Sequence, residues 1–192
     1  MTRISLVEQT QHLITPYLRP GDSAIDATAG NGYDTAFLAN TVGPHGHVYA
    51  FDLQQKALTA TKSHLATRDL SHIPVTYCLS DHQYLSQHIA ENDSLNLKAI
   101  MFNLGYLPGG DKTLTTQAGS TLIAIQSAVN LLAIEGCLSI IAYPGHRAGA
   151  LEFRGISDWF TTLNPLSYAL KRISIKNTLR PAPEVFFIQR RR

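Results

Sequence analysis

The sequence predicts an α/β protein built on a doubly wound, seven-stranded sheet, mostly parallel, with an antiparallel last strand. Three observations carry this expectation. Short apolar runs alternate with segments of helical periodicity over most of the chain. The final two strand-like runs, Tyr168 to Ile175 and Glu184 to Gln189, are joined by Lys176-Asn177-Thr178-Leu179-Arg180-Pro181-Ala182-Pro183. That link is too short for a crossover helix, so the pair should be antiparallel. Glycine-rich turns or acids follow the first four runs, which is where such a sheet collects its ligands.

Taken in order, residues 5–18 carry Val7, Ile14 and Tyr17 at helical spacing, and Pro20-Gly21-Asp22 ends that segment. Ser23 to Ala27 reads as a strand running into a glycine turn, and Tyr33 to Asn40 as a helix. His47 to Phe51 is apolar and strand-like, closing at Asp52. Gln54 to Thr67 places Leu58, Thr61 and Leu65 on one helical face. Pro74 to Leu79 is a strand followed by Asp81, and Lys98 to Leu104 a buried strand with a Gly/Pro-rich exit. Thr115 to Ala133 is the longest helix, Cys137 to Ala142 the fifth strand, and a helix through Trp159 leads to the closing pair. No repeat or linker interrupts this pattern, so residues 1–192 are expected to form a single domain.

With 44% hydrophobic and 16% charged residues in 192, the chain can bury a core and is not expected to be disordered. The most apolar stretch, Leu122 to Ala142, is broken by Gln126, Asn130 and Glu135, which argues against a membrane span. Met1-Thr-Arg-Ile-Ser lacks the apolar core of a signal peptide. Cys78 and Cys137 make neither a disulfide framework nor a zinc set. The expectation is a soluble, cytoplasmic domain. A net charge of +2 is too small for a protein that lives on duplex backbone alone. Lys171, Arg172, Lys176, Arg180 and Arg190-Arg191-Arg192 nevertheless gather in the last quarter of the chain. They form either a solvated face and tail or a phosphate-contacting edge for RNA.

Three constellations stand at successive strand ends. Asp26-Ala27-Thr28-Ala29-Gly30-Asn31-Gly32 follows a strand and opens a helix, so backbone can approach a ligand while helix N–H groups point at it. Asp52 comes 20 residues after Gly32, where an acid grips ribose hydroxyls, and Gln54 follows it. Asp81-His82 is placed to meet an adenine edge. Together they predict a nucleoside-like cofactor. A dinucleotide site wants a third glycine where this chain has Thr35, and the Asp26 carboxylate would repel a pyrophosphate. The same carboxylate attracts the ammonium and sulfonium of S-adenosyl-L-methionine, which is therefore the expected cofactor.

The fourth constellation, Asn103-Leu104-Gly105-Tyr106-Leu107-Pro108-Gly109-Gly110-Asp111-Lys112, leaves the fourth strand beside the cofactor crevice. Methylating an amine requires its lone pair to be aimed in line with the sulfur–methyl bond. An Asn side-chain oxygen and a backbone carbonyl can accept two N–H bonds and fix that direction. Tyr106 can stack on a base or close over the methyl group, and Asp111 or the phenol can take a proton from the amine.

D-A-T-A-G-N-G-Y-D-T at 26–35, F-D-L-Q at 51–54 and N-L-G-Y-L-P-G-G-D-K at 103–112 resemble the class I methyltransferase family labelled "putative rRNA methylase". Members of that family are associated with methylation of 5-aminomethyl-2-thiouridine at the wobble position of tRNA. The resemblance covers nearly the whole chain. It implies a Rossmann-like class I methyltransferase fold and methyl transfer to the amine of an aminomethyl uridine. The implied partner is tRNA, at its anticodon region, for a monomer or homodimer. Carried over by position, Asp26, Gly30, Asn31 and Gly32 hold the methionine end, Asp52 and Gln54 the ribose, and Asp81 and His82 the adenine, with Thr28 and Asn103 also expected at the cofactor. Asn103 and Tyr106 line the reacting amine, with Gly109 and Asp111 shaping the target pocket. Thr28 departs from the broader pattern, which has glycine there.

Other readings stay open: another RNA site such as rRNA, a small-molecule amine, a nicotinamide-dependent oxidoreductase, or a non-catalytic nucleoside sensor. The histidines do not cluster as metal ligands beyond His45-x-His47, so no metal is expected. The cysteines look like buried strand residues, which disfavours carbon methylation through a thiolate adduct. Tyr143-Pro144-Gly145-His146, after the fifth strand, and Thr116 and Gln117, opening the long helix, are further positions that can reach a substrate or simply form turns and caps.

Overall fold

A computed structural model describes residues 4–105, 116–174 and 181–192. The first helix, α1 (Leu6–Ile14), starts at a capping box: the Glu8 N–H donates to Ser5 Oγ at 3.1 Å, and the Ser5 N–H donates to the Glu8 carboxylate at 2.8 Å. It is shorter than residues 5–18, because Pro16 cannot continue an α-helix and the chain tightens to a 3-10 turn at Thr15–Tyr17. There follow β1 (Ser23–Asp26), α2 (Tyr33–Val42), β2 (His47–Asp52), α3 (Gln55–Thr67) and β3 (Val75–Leu79). The connection to the fourth strand contains a 3-10 segment, His82–Gln87, and a short helix α4 (Glu91–Ser94), neither foreseen from periodicity. The rest is β4 (Leu97–Asn103), α5 (Ala118–Leu131), β5 (Cys137–Ala142), α6 (Arg147–Phe160), β6 (Tyr168–Ser174) and β7 (Glu184–Arg190).

The seven strands form one sheet in the order β3-β2-β1-β4-β5-β7-β6. The first five pair in parallel with one another, and β7 is antiparallel to both β5 and β6. The last strand therefore inserts inside the sheet instead of closing its edge. Burial explains the choice. Val185-Phe186-Phe187-Ile188 are buried and need two neighbours, whereas β6 carries exposed Lys171 and Arg172 and tolerates the edge.

Side chains alternate across the sheet with period two. Ile25, Phe51, Ile100, Phe102, Leu138 and Phe186 face one layer, filled by Leu85, Ala124, Ile125, Ala128, Ile156 and Phe160 of the 3-10 segment, α5 and α6. Ala24, Val48, Ala99, Met101 and Phe187 face the other, against Ile14, Ala36, Leu38, Ala39 and Leu65 of α1, α2 and α3. Each fully buried Leu, Ile or Phe contributes about 1.5–3 kcal/mol. Among the described residues no helix is long and apolar enough to cross a membrane.

Strand order reverses between β1 and β4: the chain builds outward to β3 on one side and to β5 on the other. The glycine loop leaves β1 at that point. Gly32 caps α2 with φ +83°, and a Cβ there would lie 2.7 Å from Thr61 Cα of α3. Only glycine meets both conditions. Gly32→Ala is expected to lose about 2–4 kcal/mol of stability from left-handed strain plus overpacking. Urea unfolding at 25 °C measures it, and a loss under about 0.5 kcal/mol would mean that the two helices separate freely.

Candidate active site

A cleft of about 950 Å³ opens at the carboxyl ends of the strands, toward the upper end of the range for small-molecule sites. Its lining includes Thr28, Gly30, Asn31, Asp52, Gln54, Asp81, His82 and Asn103, so eight of the positions expected from sequence meet in one place. Tyr106, Gly109 and Asp111 lie outside the described residues.

The loop is held from both sides. The Ala27 N–H donates to Met101 O of β4 and the Ala29 N–H to Phe51 O of β2, each at 2.8 Å. Between them, Thr28 Oγ1 accepts the backbone N–H of Asn103 at 2.7 Å. That explains the threonine: its hydroxyl ties the glycine loop to the residue that ends β4. Asp52 is fixed as tightly, its two carboxylate oxygens accepting the N–H groups of Gly30 at 3.0 Å and Gln54 at 2.8 Å. Burial holds its carboxyl above the usual range against these bonds. Asp81 accepts the Gln83 N–H at 2.9 Å and faces the cleft beside it.

His82 is only 7% exposed, with its ring edge-on to Phe102 at 5.6 Å and Nδ1 3.3 Å from the Ala27 carbonyl. It thus sits between Ala27, the residue that follows β1, and Phe102 of β4. Burial lowers its pKa, so the ring is neutral at pH 7, and the Ala27 carbonyl selects the tautomer with the proton on Nδ1.

Asp26 and Gly32 do not line the cleft. Asp26 is 1% exposed behind the loop, accepting the Thr28 N–H at 3.1 Å and the Thr35 hydroxyl at 2.5 Å. The acid of this motif that faces the cleft is Asp34, 5% exposed and bonded by the Gln11 amide of α1 at 2.9 Å. Sequence reasoning missed it because the motif draws the eye to the acid before the glycines. Also unforeseen in the lining are Val7, Tyr33, Ser80, Ser120, Pro181 and Pro183. Thr116, Gln117 and Tyr143-Pro144-Gly145-His146 all reach the cleft.

Other groups are committed elsewhere. Arg172 pairs with Glu184 at 2.5 Å and stacks on Phe186 and Phe153, and Arg190 donates to the carbonyls of Leu132 and Asn130. Part of the expected phosphate-contacting edge therefore holds the sheet together, while Lys171 stays exposed and Lys176 and Arg180 lie outside the described residues. Cys78 and Cys137 are buried away from the cleft; burial pushes the Cys78 thiol up to about 11 and raises Cys137 as well. Neither supplies a thiolate near neutral pH. His47 bonds Asp93 at 2.7 Å and Thr76 at 2.8 Å, and among the described residues no three His, Cys, Asp or Glu side chains converge as metal ligands.

Asp26 is pushed up to about 7, chiefly by burial and next by the charge of Asp34, against the Thr35 and Thr28 bonds. The unfolded chain releases this proton near pH 4, so the native state binds more protons between about pH 4 and 7. Stability of the ligand-free protein should therefore fall as pH rises through that window and level off above it. Asp26→Asn should flatten the profile and melt higher than the unsubstituted protein at pH 7.5. Thermal melts from pH 5 to 8 test this; parallel profiles would show that Asp26 is ionised throughout.

The profile of the family described as "Putative rRNA methylase" matches residues 48–189. A chloroplastic tRNA (mnm(5)s(2)U34)-methyltransferase of Arabidopsis thaliana is 32% identical over 158 residues, 74% of this chain and 57% of that protein. The chain thus spans a little over half the length of that relative. Among solved structures, a "putative rRNA-methylase" from Clostridium thermocellum superposes with a TM-score of 0.91 at 32% identity, covering 99% of this chain and 100% of the other. A "putative methyltransferase" from Streptococcus mutans in complex with SAH gives 0.85 at 28% identity, covering 98% and 99%. Sequence match, sheet order and cleft agree: the chain belongs to the "Putative rRNA methylase" family of class I methyltransferases.

Proposed function

We propose that the protein transfers a methyl group from S-adenosyl-L-methionine to the primary amine of an aminomethyl uridine at the wobble position of tRNA. The observation that carries this reading is the meeting, in one cleft, of the nucleoside-binding set Asp52, Gln54 and Asp81 with Asn103 beside the glycine loop. The activity that names the Arabidopsis relative supports the same acceptor. The whole chain is read as one catalytic domain acting in the cytoplasm.

S-adenosylmethionine, when bound, supplies an electrophilic methyl group on a cationic sulfur. Asp52, already oriented by two backbone N–H groups, keeps lone pairs for the ribose hydroxyls. Asp81 and His82 face the base, and Thr28, Gly30 and Asn31 the amino-acid end, close to Asp34. The Asn103 side-chain oxygen accepts an N–H of the acceptor amine and turns its lone pair toward the methyl carbon. As the nitrogen–carbon bond forms, the carbon–sulfur pair returns to sulfur and the amine sheds one proton. Tyr106 and Asp111 are assigned to the amine and its proton on the family resemblance.

Asn103→Ala should leave the dissociation constant for S-adenosylmethionine within about twofold and lower turnover at least tenfold, since one orienting hydrogen bond is lost. Unchanged turnover would remove Asn103 from the chemistry. Asp52→Ala should weaken cofactor binding by about 1.5–3 kcal/mol, roughly ten- to a hundredfold, measured by titration calorimetry. An unaltered constant would move the ribose site elsewhere. The reading as a whole is tested by methyl transfer from labelled S-adenosylmethionine to bulk tRNA from cells lacking the protein, with nucleosides identified by mass spectrometry. Label on an aminomethyl-2-thiouridine supports it. Label absent from tRNA, despite cofactor binding, would redirect the search to rRNA and small amines.

A further inference from the structure

Gly105, two residues past β4, and Thr116, just before α5, are bonded to each other. The Thr116 N–H donates to Gly105 O at 3.1 Å, and the Gly105 N–H donates to Thr116 Oγ1 at 2.9 Å. The same hydroxyl then donates its hydrogen to Glu152 Oε2 at 3.0 Å, and Thr121 donates to Glu152 Oε1 at 2.5 Å. Glu152 belongs to α6, is 2% exposed, does not line the cleft and is unused by the chemistry above.

The direction of these bonds matters. A hydroxyl has one hydrogen, and Glu152 offers Thr116 an acceptor for it. With the hydrogen committed to Glu152, the lone pairs of Thr116 Oγ1 are free to receive the Gly105 N–H. Gly105 sits at φ +125°, two residues after Asn103, with the Tyr143 ring 4.0 Å from where a Cβ would project. One buried carboxyl thus joins three separate contributors to the cleft: the β4 exit (Asn103 to Gly105), the α5 approach (Thr116, Gln117, Ser120) and, through α6, the turn ending at His146, whose ring caps that helix by accepting the Gly149 N–H at 3.1 Å. A buried carboxyl costs stability unless it is well bonded, and a hydrophobic side chain would fill the same space at less cost. A carboxyl so placed, bonded to Thr116 and Thr121 behind the cleft lining, points to a role in alignment.

We propose that Glu152 is a positioning residue for methyl transfer, holding the β4 exit and its Asn103 in place through the Thr116 hydroxyl. The proposal rests on the methyl-transfer reading for its kinetic arm, while its structural arm is read on the protein alone. Glu152→Ala should speed hydrogen exchange at the Gly105 and Thr116 amides at least tenfold and lower turnover at least tenfold. The S-adenosylmethionine dissociation constant should stay within twofold. Glu152→Gln, which still accepts the Thr116 hydrogen through its amide oxygen, should restore both readouts to within threefold. A role confined to stability would lower the melting temperature and leave turnover of the folded variant unchanged. If Glu152→Ala does not fold, Thr116→Val removes only the bridging hydroxyl and should reproduce the loss, whereas Thr116→Ser should not. Turnover within twofold for the folded Ala or Val variant, or amide protection that survives it, would overturn the proposal. A wild-type protein that leaves tRNA unmethylated would overturn the substrate reading, with the exchange arm still deciding the clamp.

Discussion

The hydrogen bond from the Asn103 backbone to the Thr28 hydroxyl bridges the point where the sheet changes direction. In a doubly wound sheet, the strands on either side of that point send their connections apart, and the crevice between them exists because nothing else fills it. Here the crevice has two walls, the glycine loop from β1 and the exit from β4, already joined below by the Ala27 N–H to Met101 O. The 2.7 Å bond extends that junction to Asn103, the residue that ends β4. The methyl donor and the acceptor amine are read as contacting opposite ends of it, so the distance between them is set by a short, directional contact within the protein. Thr28 stands where many related sheets have glycine, and the structure gives that substitution a structural purpose.

The electrostatics of the loop follow from the same crowding. Asp26 and Asp34 flank the glycines, both nearly excluded from solvent and both with carboxyls raised by burial. Hydrogen bonds from Thr28, Thr35 and Gln11 offset only part of that cost. On the proposed reading, a cationic ligand supplies the rest, which couples α1 to the site: its capping box fixes the helix from which Gln11 reaches Asp34. An element at the beginning of the chain thereby tunes an acid in the cleft.

The fold was legible because its signals are local. Apolar runs, helical spacing and the short Pro-containing link each act within a dozen residues, and the strand limits agree within a residue or two. The place of β7 was not legible: pairing partners are chosen by burial across the sheet, and Val185 to Ile188 compete for an interior position that no local pattern announces. Within the site, the acids at the ends of β2 and β3 were readable from their distance along the chain. Tyr143 was readable as a candidate from its place after β5, whereas Asp34 and the two prolines at 181 and 183 were harder, since they reach the cleft from different elements.

The sequence by itself determined the chemistry available: an acid at each of the first three strand ends, glycines where backbone must turn, an asparagine at the fourth, and two cysteines with no reactive company. Those follow from residue type and order along a parallel sheet. The tertiary structure decided which of them face the ligand. It turned Asp26 behind the loop and Asp34 into the cleft, gave Gly32 to the contact with α3, and made Thr116 and Glu152 a clamp from residues 36 positions apart. The reason is that facing and burial are set by packing between elements, and packing joins residues that sequence separates.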